Sequence, residues 1–282
     1  MIGYHRPETL EQALAIRSEN DVTVLAGGTD VFPARTALAA WGTPARKDVL
    51  DLSAIVDLRG IMERRDHWRI GALTTWSDLA RTALPPLFDG YRAAAREVGG
   101  LQVQNRGTLA GNLCTASPAG DGIPCLLALN ASVELTSRAG RRTLPIADFI
   151  EGYRQTALRP DELLTAILVP QTPATGGFAK LGARRYLVIS IVMVSAVVAF
   201  AEDGTVASAR VAVGACGPKA TRLPALETAL AGASLSEFVV DPDLLGPLSP
   251  MDDIRASADY RRDAARQLIE DCLHAIGTGA RR

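Results

Sequence analysis

The stretch from Gly99 to Gly122 limits the folds open to this chain more than any other. Six glycines, Gly99, Gly100, Gly107, Gly111, Gly120 and Gly122, are spread there among hydroxyl and amide side chains with no strand-like alternation. Such a segment supplies many hydrogen-bond donors and little core. Long loops inside a compact domain are usually functional, although a plain surface loop fits the same residues. A second glycine-bearing segment, Ala26-Gly27-Gly28-Thr29-Asp30, follows the apolar strand Val22 to Leu25 directly. Glycine has no Cβ, so its backbone can approach a ligand closely, and successive N–H groups form a nest that favours phosphate. Thr29 adds a hydroxyl. Taken alone, a Gly-Gly turn between two elements explains this loop equally well. No Gly-Lys-Ser/Thr follows, so it is not a P-loop, nor does it read G-x-G-x-x-G. Two donor-rich loops in one domain suit a long ligand with a central pyrophosphate better than a mononucleotide.

The rest of the chain supplies a scaffold for them. With 282 residues, 48% hydrophobic and 22% charged, it has enough apolar content for about two domains. Thr9-Leu10-Glu11-Gln12 reads as a capping box that opens a helix with Leu10, Ala13, Leu14 and Arg17 at helical spacing. Strands are expected at Val49 to Leu52, Trp68 to Ala72 and Leu163 to Val169, and a hairpin pairs Ser132 to Thr136 with Arg142 to Leu144 about Ala139-Gly140. Helices are expected at Thr75 to Thr82, Leu87 to Val98 and Ile123 to Leu129. This is an α+β pattern without regular βαβ alternation. Gln171 to Gly177 reads as the linker between domains. Beyond it, Tyr186 to Ala201 and Val206 to Val213, joined by Asp203-Gly204, read as a long antiparallel hairpin. The last helix carries the stripe Tyr260, Ala264, Leu268 and Cys272, with Ala265, Ile269 and Ile276 beside it.

Charge and cysteine usage remove whole classes of function. Thirty Lys+Arg against 31 Asp+Glu leave a net charge of -1 with no dense lysine run, which excludes the electrostatic footprint of a nucleic-acid binder. Cys114, Cys125, Cys216 and Cys272 form no C-x-x-C pair, and His5, His67 and His274 lie far apart, so neither zinc nor iron–sulfur spacing is present and no metal is expected. The cysteines read as small buried hydrophobes, Cys114 being the partial exception because of its glycine-rich neighbours. His5, Arg6, Pro7 and Glu8 interrupt any apolar signal region, so a mature cytoplasmic chain is expected. The longest apolar run, Tyr186 to Ala201, contains Ser190 and Ser195 and falls short of the roughly 18 residues a membrane span needs.

The segments Ala26-Gly27-Gly28-Thr29-Asp30, Gly107-Thr108-Leu109-Ala110-Gly111-Asn112 and Ser117-Pro118-Ala119-Gly120-Asp121, in this order and at these separations, resemble the FAD-binding medium subunits of molybdenum hydroxylases. That family includes the medium subunit of carbon monoxide dehydrogenase and the flavin domain of xanthine dehydrogenase. The opening Tyr4-His5-Arg6-Pro7-Glu8-Thr9-Leu10 and the late Asp253-Ile254-Arg255-Ala256-Ser257-Ala258-Asp259-Tyr260-Arg261 are similar as well, so the resemblance spans nearly the whole chain. It implies a two-lobed FAD-binding domain of the vanillyl-alcohol-oxidase type over 1–175, with lobes of about 1–55 and 56–175, and a smaller domain of antiparallel sheet plus helices over 176–282. By the same resemblance Leu25, Ala26, Gly27, Gly28, Thr29, Asp30, Val31 and Phe32 line one side of the pyrophosphate. Thr108, Gly111 and Asn112 line the other, Ser117 is a further cofactor-binding position, and Asp121 bonds the sugar-like part of FAD. Val98 falls against the isoalloxazine, and Leu164 and Lys180 at further flavin contacts. Read without the resemblance, Val98 and Leu164 fit a core, Lys180 with Arg184 and Arg185 fits a solvated cluster, and Asp121 fits a cap on the helix near Ile123. Two departures stand out. Ala110 occupies a position where the family usually has glycine, and the cysteine-rich insertion of the 4-hydroxybenzoyl-CoA reductase branch has no counterpart.

The resemblance further implies a role in electron transfer, in which FAD on this chain stands between iron–sulfur clusters and NAD or another acceptor. Because the chain lacks cluster ligands, two-iron two-sulfur clusters are expected on a small partner subunit and molybdopterin on a large one, in a dimer of heterotrimers. No residue of this chain is expected to act on the organic substrate. Two other readings stay open from the sequence: a self-sufficient FAD-dependent oxidoreductase, and a nucleotide-binding scaffold with no redox role.

Overall fold

The structure, a computed structural model, describes residues 3–40, 42 and 47–279. Its architecture is α+β, as expected, and it is organised by three larger sheets that follow one another along the chain, with a two-stranded pair, Ile150–Gly152 and Gln155–Thr156, beside them. The first is parallel, with Asp48–Asp51 between Tyr4–His5 and Val22–Leu25. Parallel neighbours need crossovers. The helix Leu10–Glu19 supplies one, opened by the expected capping box in which Thr9 and Gln12 bond each other's backbone N–H. The helix Val31–Ala40 begins the other. Ala13, Leu14, Leu50, Leu52, Ile55 and Leu58 form a small core here.

The second sheet is antiparallel, in the order Ile61–Glu63, His67–Gly71, Leu163–Pro170, Ser132–Ser137, Gly140–Pro145. Leu163–Pro170 is central and buried along most of its length, which explains its nearly continuous apolar sequence. The largest core lies between this sheet and the helices Trp76–Arg81, Asp89–Glu97, Leu109–Thr115 and Gly122–Ala128. Trp76 and Tyr91 meet edge to face within it, ring centroids 5.8 Å apart.

The third sheet is antiparallel, in the order Thr175–Leu181, Val192–Phe200, Val206–Gly214, Thr221–Arg222. One face packs on the helices Pro224–Leu230 and Ala258–Gly279 and the other on Asp89–Glu97 and Gly122–Ala128. The second contact is tight enough to require glycine, since a Cβ on Gly90 would lie 2.4 Å from the Gly177 carbonyl oxygen. Among the described residues no helix is long and apolar enough to cross a membrane.

The structure corrects four sequence expectations. The Gly99–Gly122 stretch is not an open loop but contains the short helices Leu101–Arg106 and Leu109–Thr115. Thr108 caps the latter by accepting from Gly111 N–H, and Ala116 ends it in the left-handed region. Gly176 and Gly177 sit inside a strand rather than in a linker, because the neighbouring helix comes so close. The strand expected from Tyr186 starts only at Val192, leaving Tyr186, Leu187 and Ile189 exposed. The last helix buries the expected Ala265, Ile269, Cys272 and Ile276 together with Arg261, Glu270 and Leu273, so the buried stripe lies one position round from Tyr260, Ala264 and Leu268. The buried guanidinium of Arg261 sets that rotation by bonding the carbonyls of Ile191 and Ala215 and the carboxylate of Asp253. Cys125, Cys216 and Cys272 are buried as expected, and burial pushes the Cys272 thiol up to about 12.

Candidate functional site

The strand Val22–Leu25 runs into the first glycine loop, and the helix Val31–Ala40 begins at once, with Phe32 N–H donating to Gly28 O and Ala34 N–H to Asp30 O, each 3.1 Å. Amides before Phe32 have no carbonyl one turn back, so the loop and first turn present free donors. Gly28 has φ +77, which favours glycine, and a Cβ there would also lie 2.6 Å from the Phe32 ring. At Gly27 a Cβ would lie 2.0 Å from Arg106 O and 2.9 Å from Gly107 Cα. The first loop is therefore pressed backbone to backbone against the second.

The second loop is anchored independently. Trp76 N–H donates to Gly107 O at 3.2 Å, and Leu109 N–H donates to Thr74 O at 3.0 Å. These bonds fix Thr108 at the edge of the second sheet. On the far side, Thr115 Oγ1 donates to Asp30 Oδ2 at 2.7 Å and closes the two loops on each other.

Between them lies a cleft of about 450 Å³. Ala26, Gly27, Gly28, Thr29, Asp30, Val31, Val98, Thr108, Gly111, Asn112 and Leu164 all line it, so eleven of the sixteen sequence-predicted residues meet in one place. Among the described residues its lining contains no Lys, Arg or His. An anion held here must be held by backbone amides, hydroxyls and the Asn112 amide rather than by a counter-charge. Ala110 is buried in the wall of the same cleft, so its Cβ is accommodated where the resembled family has glycine.

Asn112 supplies the most specific mark. Its Oδ1 is buried with no hydrogen-bond partner among the described residues, and it is packed so closely that a Cβ on Gly122 would approach it to 2.9 Å. A buried polar atom without a partner costs about 1–3 kcal/mol. On a residue that lines the cleft, this orphaned atom fits a ligand that brings its own polar groups.

Five predicted residues lie outside the lining. Leu25 is buried beneath the loop, and Phe32 is exposed with its ring over Gly28. Ser117 shapes a turn, its hydroxyl accepting from Ala119 N–H and its carbonyl from Gly120 N–H. Asp121 and Lys180 form a buried pair at 2.7 Å, and Ser190 Oγ donates to the other Asp121 oxygen at 2.6 Å. Burial pushes the Asp121 carboxyl up, while the Lys180 ammonium and the Ser190 hydroxyl pull it back down. Asp121 makes no capping bond to the helix that follows, and Lys180 is not solvated. Lys180 instead lines a second cavity of about 500 Å³, together with Glu97, Phe178, Arg184, Arg185 and Val188.

Sequence reasoning missed Ser190, which was read as part of a strand. It also missed the apolar end of the cleft, where Val24, Leu52, Leu73, Leu158 and Leu163 converge. Nothing local marks Leu158. Thr115 and Trp76 were the findable ones, the first lying in the glycine-rich stretch and the second heading an expected helix.

Comparison with known proteins extends these observations along the whole chain. Residues 1–172 match the family described as FAD binding domain in molybdopterin dehydrogenase, and residues 178–276 match the CO dehydrogenase flavoprotein C-terminal domain. The nicotine 6-hydroxylase medium subunit of Paenarthrobacter nicotinovorans is 32% identical over 285 residues, covering 99% of this chain and 98% of its own. The carbon monoxide dehydrogenase medium chain of Hydrogenophaga pseudoflava is 29% identical, covering 96% of each. A solved structure of carbon monoxide dehydrogenase from the same organism superposes with a TM-score of 0.86 at 29% identity, covering 98% of this chain and 96% of that one.

Proposed function

Because the chain belongs to the FAD-binding medium subunits of the molybdenum hydroxylases, we propose that it is the electron-transfer component of such a complex, taking electrons from two-iron two-sulfur clusters on a small partner and passing them to NAD or another acceptor. FAD, when bound, supplies the exchange between single electrons and pairs that this task requires. The residues of this chain bind and orient it. In this reading the amides of Ala26 to Val31 and the Thr29 hydroxyl face one side of the pyrophosphate, and Thr108, Gly111 and Asn112 face the other. Val98 and Leu164 then contact the apolar part of the coenzyme, with Asp121 and Lys180 beyond them and Leu25, Phe32 and Ser117 holding the loops in shape.

The observation that carries the proposal is the pressed pair of glycine loops beside a cleft that has no cationic side chain among the described residues and is lined by Asn112, whose buried Oδ1 lacks a partner. Partners follow from the family: a small iron–sulfur subunit and a large molybdopterin subunit, which we place in a dimer of heterotrimers in the cytoplasm. We assign 1–175 to the flavin domain and 176–282 to the C-terminal domain, a division supported by the change from the second to the third sheet at Pro170 to Thr175.

The test is flavin occupancy. Wild-type protein reconstituted with FAD should show flavin absorbance that survives desalting. Gly28→Val and Gly111→Val should lose it while keeping the far-ultraviolet circular dichroism of the parent. Full occupancy in both variants would contradict the loop assignment.

A further inference from the structure

Residues 182–191 join the first two strands of the third sheet, and the base of this segment is closed by Ile191 N–H donating to Leu181 O at 2.8 Å. A second closure is unusual in its reach. Lys180, just before the segment, bonds Asp121 Oδ2 at 2.7 Å, and Ser190, near its end, bonds Asp121 Oδ1 at 2.6 Å. Both ends of the segment are thus tied to the two oxygens of one carboxylate, and that carboxylate belongs to the second glycine loop. Ser190 and Asp121 are 2% and 6% exposed, whereas Tyr186, Leu187 and Ile189 between the ties are all more than half exposed. Above its base the segment is held by Leu187, whose side chain lies against Gly100, and by Arg184 donating to Leu187 O. Arg184, Arg185 and Val188 contribute to the wall of the second cavity.

We propose that Ser190, acting through Asp121, is the positioning residue of a strap, residues 182–189, which closes the second cavity and is coupled to the second glycine loop. A hydroxyl donating to a carboxylate makes a charge-assisted bond, and removing it leaves one buried oxygen without a donor. The outer part of the strap has few buried contacts to compensate, so the opening is local rather than global. Coupling is reciprocal: whatever fixes the Asp121 loop also fixes the strap. That second statement rests on the FAD reading, whereas the first does not.

Limited trypsin digestion of the full chain tests both, with cleavage after Arg184 and Arg185 measured by mass spectrometry relative to cleavage after Arg138 and Arg141 on the remote hairpin. When opening is fast, cleavage follows the open population, so Ser190→Ala should raise the strap-to-hairpin ratio about tenfold, and Ser190→Thr should restore it. An unchanged ratio in Ser190→Ala, or a rise at both sites together, overturns the strap. Added FAD, its binding followed separately by quenching of flavin fluorescence, should slow strap cleavage in the wild-type chain and much less in Ser190→Ala. Equal protection of both overturns the coupling. Absence of quenching overturns the FAD reading and the coupling with it, while the ligand-free ratio still decides the strap.

Discussion

The cleft between the glycine loops and the cavity beneath the strap are similar in volume, about 450 and 500 Å³, and adjoin along the chain, Val98 lining the first and Glu97 the second. Their materials are opposite. The cleft is walled by glycine-loop backbone at one end and apolar side chains at the other, with no cationic side chain among the described residues, while the second cavity presents Lys180, Arg184 and Arg185. Its floor depends on a buried ion pair and its wall on an exposed segment. A site that must grip the same phosphate group in every molecule is served by amides fixed in a packed turn, which lose little entropy on binding. Flexible charged side chains suit a site that opens and closes. The two regions should therefore respond differently to mutation.

The largest effect is expected at the ion pair. Lys180→Met leaves the Asp121 carboxylate buried without its counter-charge, which should cost about 3–5 kcal/mol at neutral pH and be visible as a lower denaturant midpoint. Loss of the ammonium removes the main influence that opposes burial, so the folded-state pKa of Asp121, already raised, rises further. A raised folded pKa means stability that is present at low pH and lost as pH rises through it, so the defect should be smaller at pH 5 than at pH 7. A defect that grows on acidification would break this side of the comparison.

Next comes the backbone contact. Gly27→Val drives side-chain atoms into the Arg106 carbonyl, already 2.0 Å from an ideal Cβ, and should weaken FAD binding by about 100-fold or more, roughly 2.7 kcal/mol, in a fluorescence titration. Gly28→Ala faces the positive φ and the Phe32 ring and should cost about 1–3 kcal/mol of loop strain, enough for about tenfold in affinity. At the small end, Arg184→Gln should leave FAD affinity within about twofold and change stability by no more than about 0.5 kcal/mol, because the exposed strap lies outside the cleft. Cys114→Ala, at the cleft wall, should likewise leave flavin reduction nearly unaffected. A large loss of FAD binding in Arg184→Gln would erase the distinction between the two cavities.

Much of the fold was legible because its signals are local. The capping box at Thr9, the hairpin about Ala139-Gly140 and the apolar run at Leu163 each name their element, and the glycine loops declare themselves because only glycine permits that backbone contact. What escaped the sequence depends on distant partners. Tyr186 to Ile189 look like strand residues, but the chain becomes a strand only after Ser190 has reached Asp121, 69 positions away. The last helix is turned by one residue because Arg261 finds carbonyls on two other segments, and no periodicity encodes those. Resemblance set Asp121 against the sugar-like part of FAD, whereas the structure leaves it outside the cleft lining with its bonds running to Lys180 and Ser190. Leu158 joins the cleft purely through tertiary packing.

The central claim is that two glycine loops grip a pyrophosphate, and FAD is best compared with FMN, which carries a flavin but no pyrophosphate bridge. Titrating the flavin-free full chain with each and following flavin fluorescence should show FAD binding at one per chain and about 100-fold or more tighter than FMN. Equal affinity for the two, or no binding of FAD, would contradict the account.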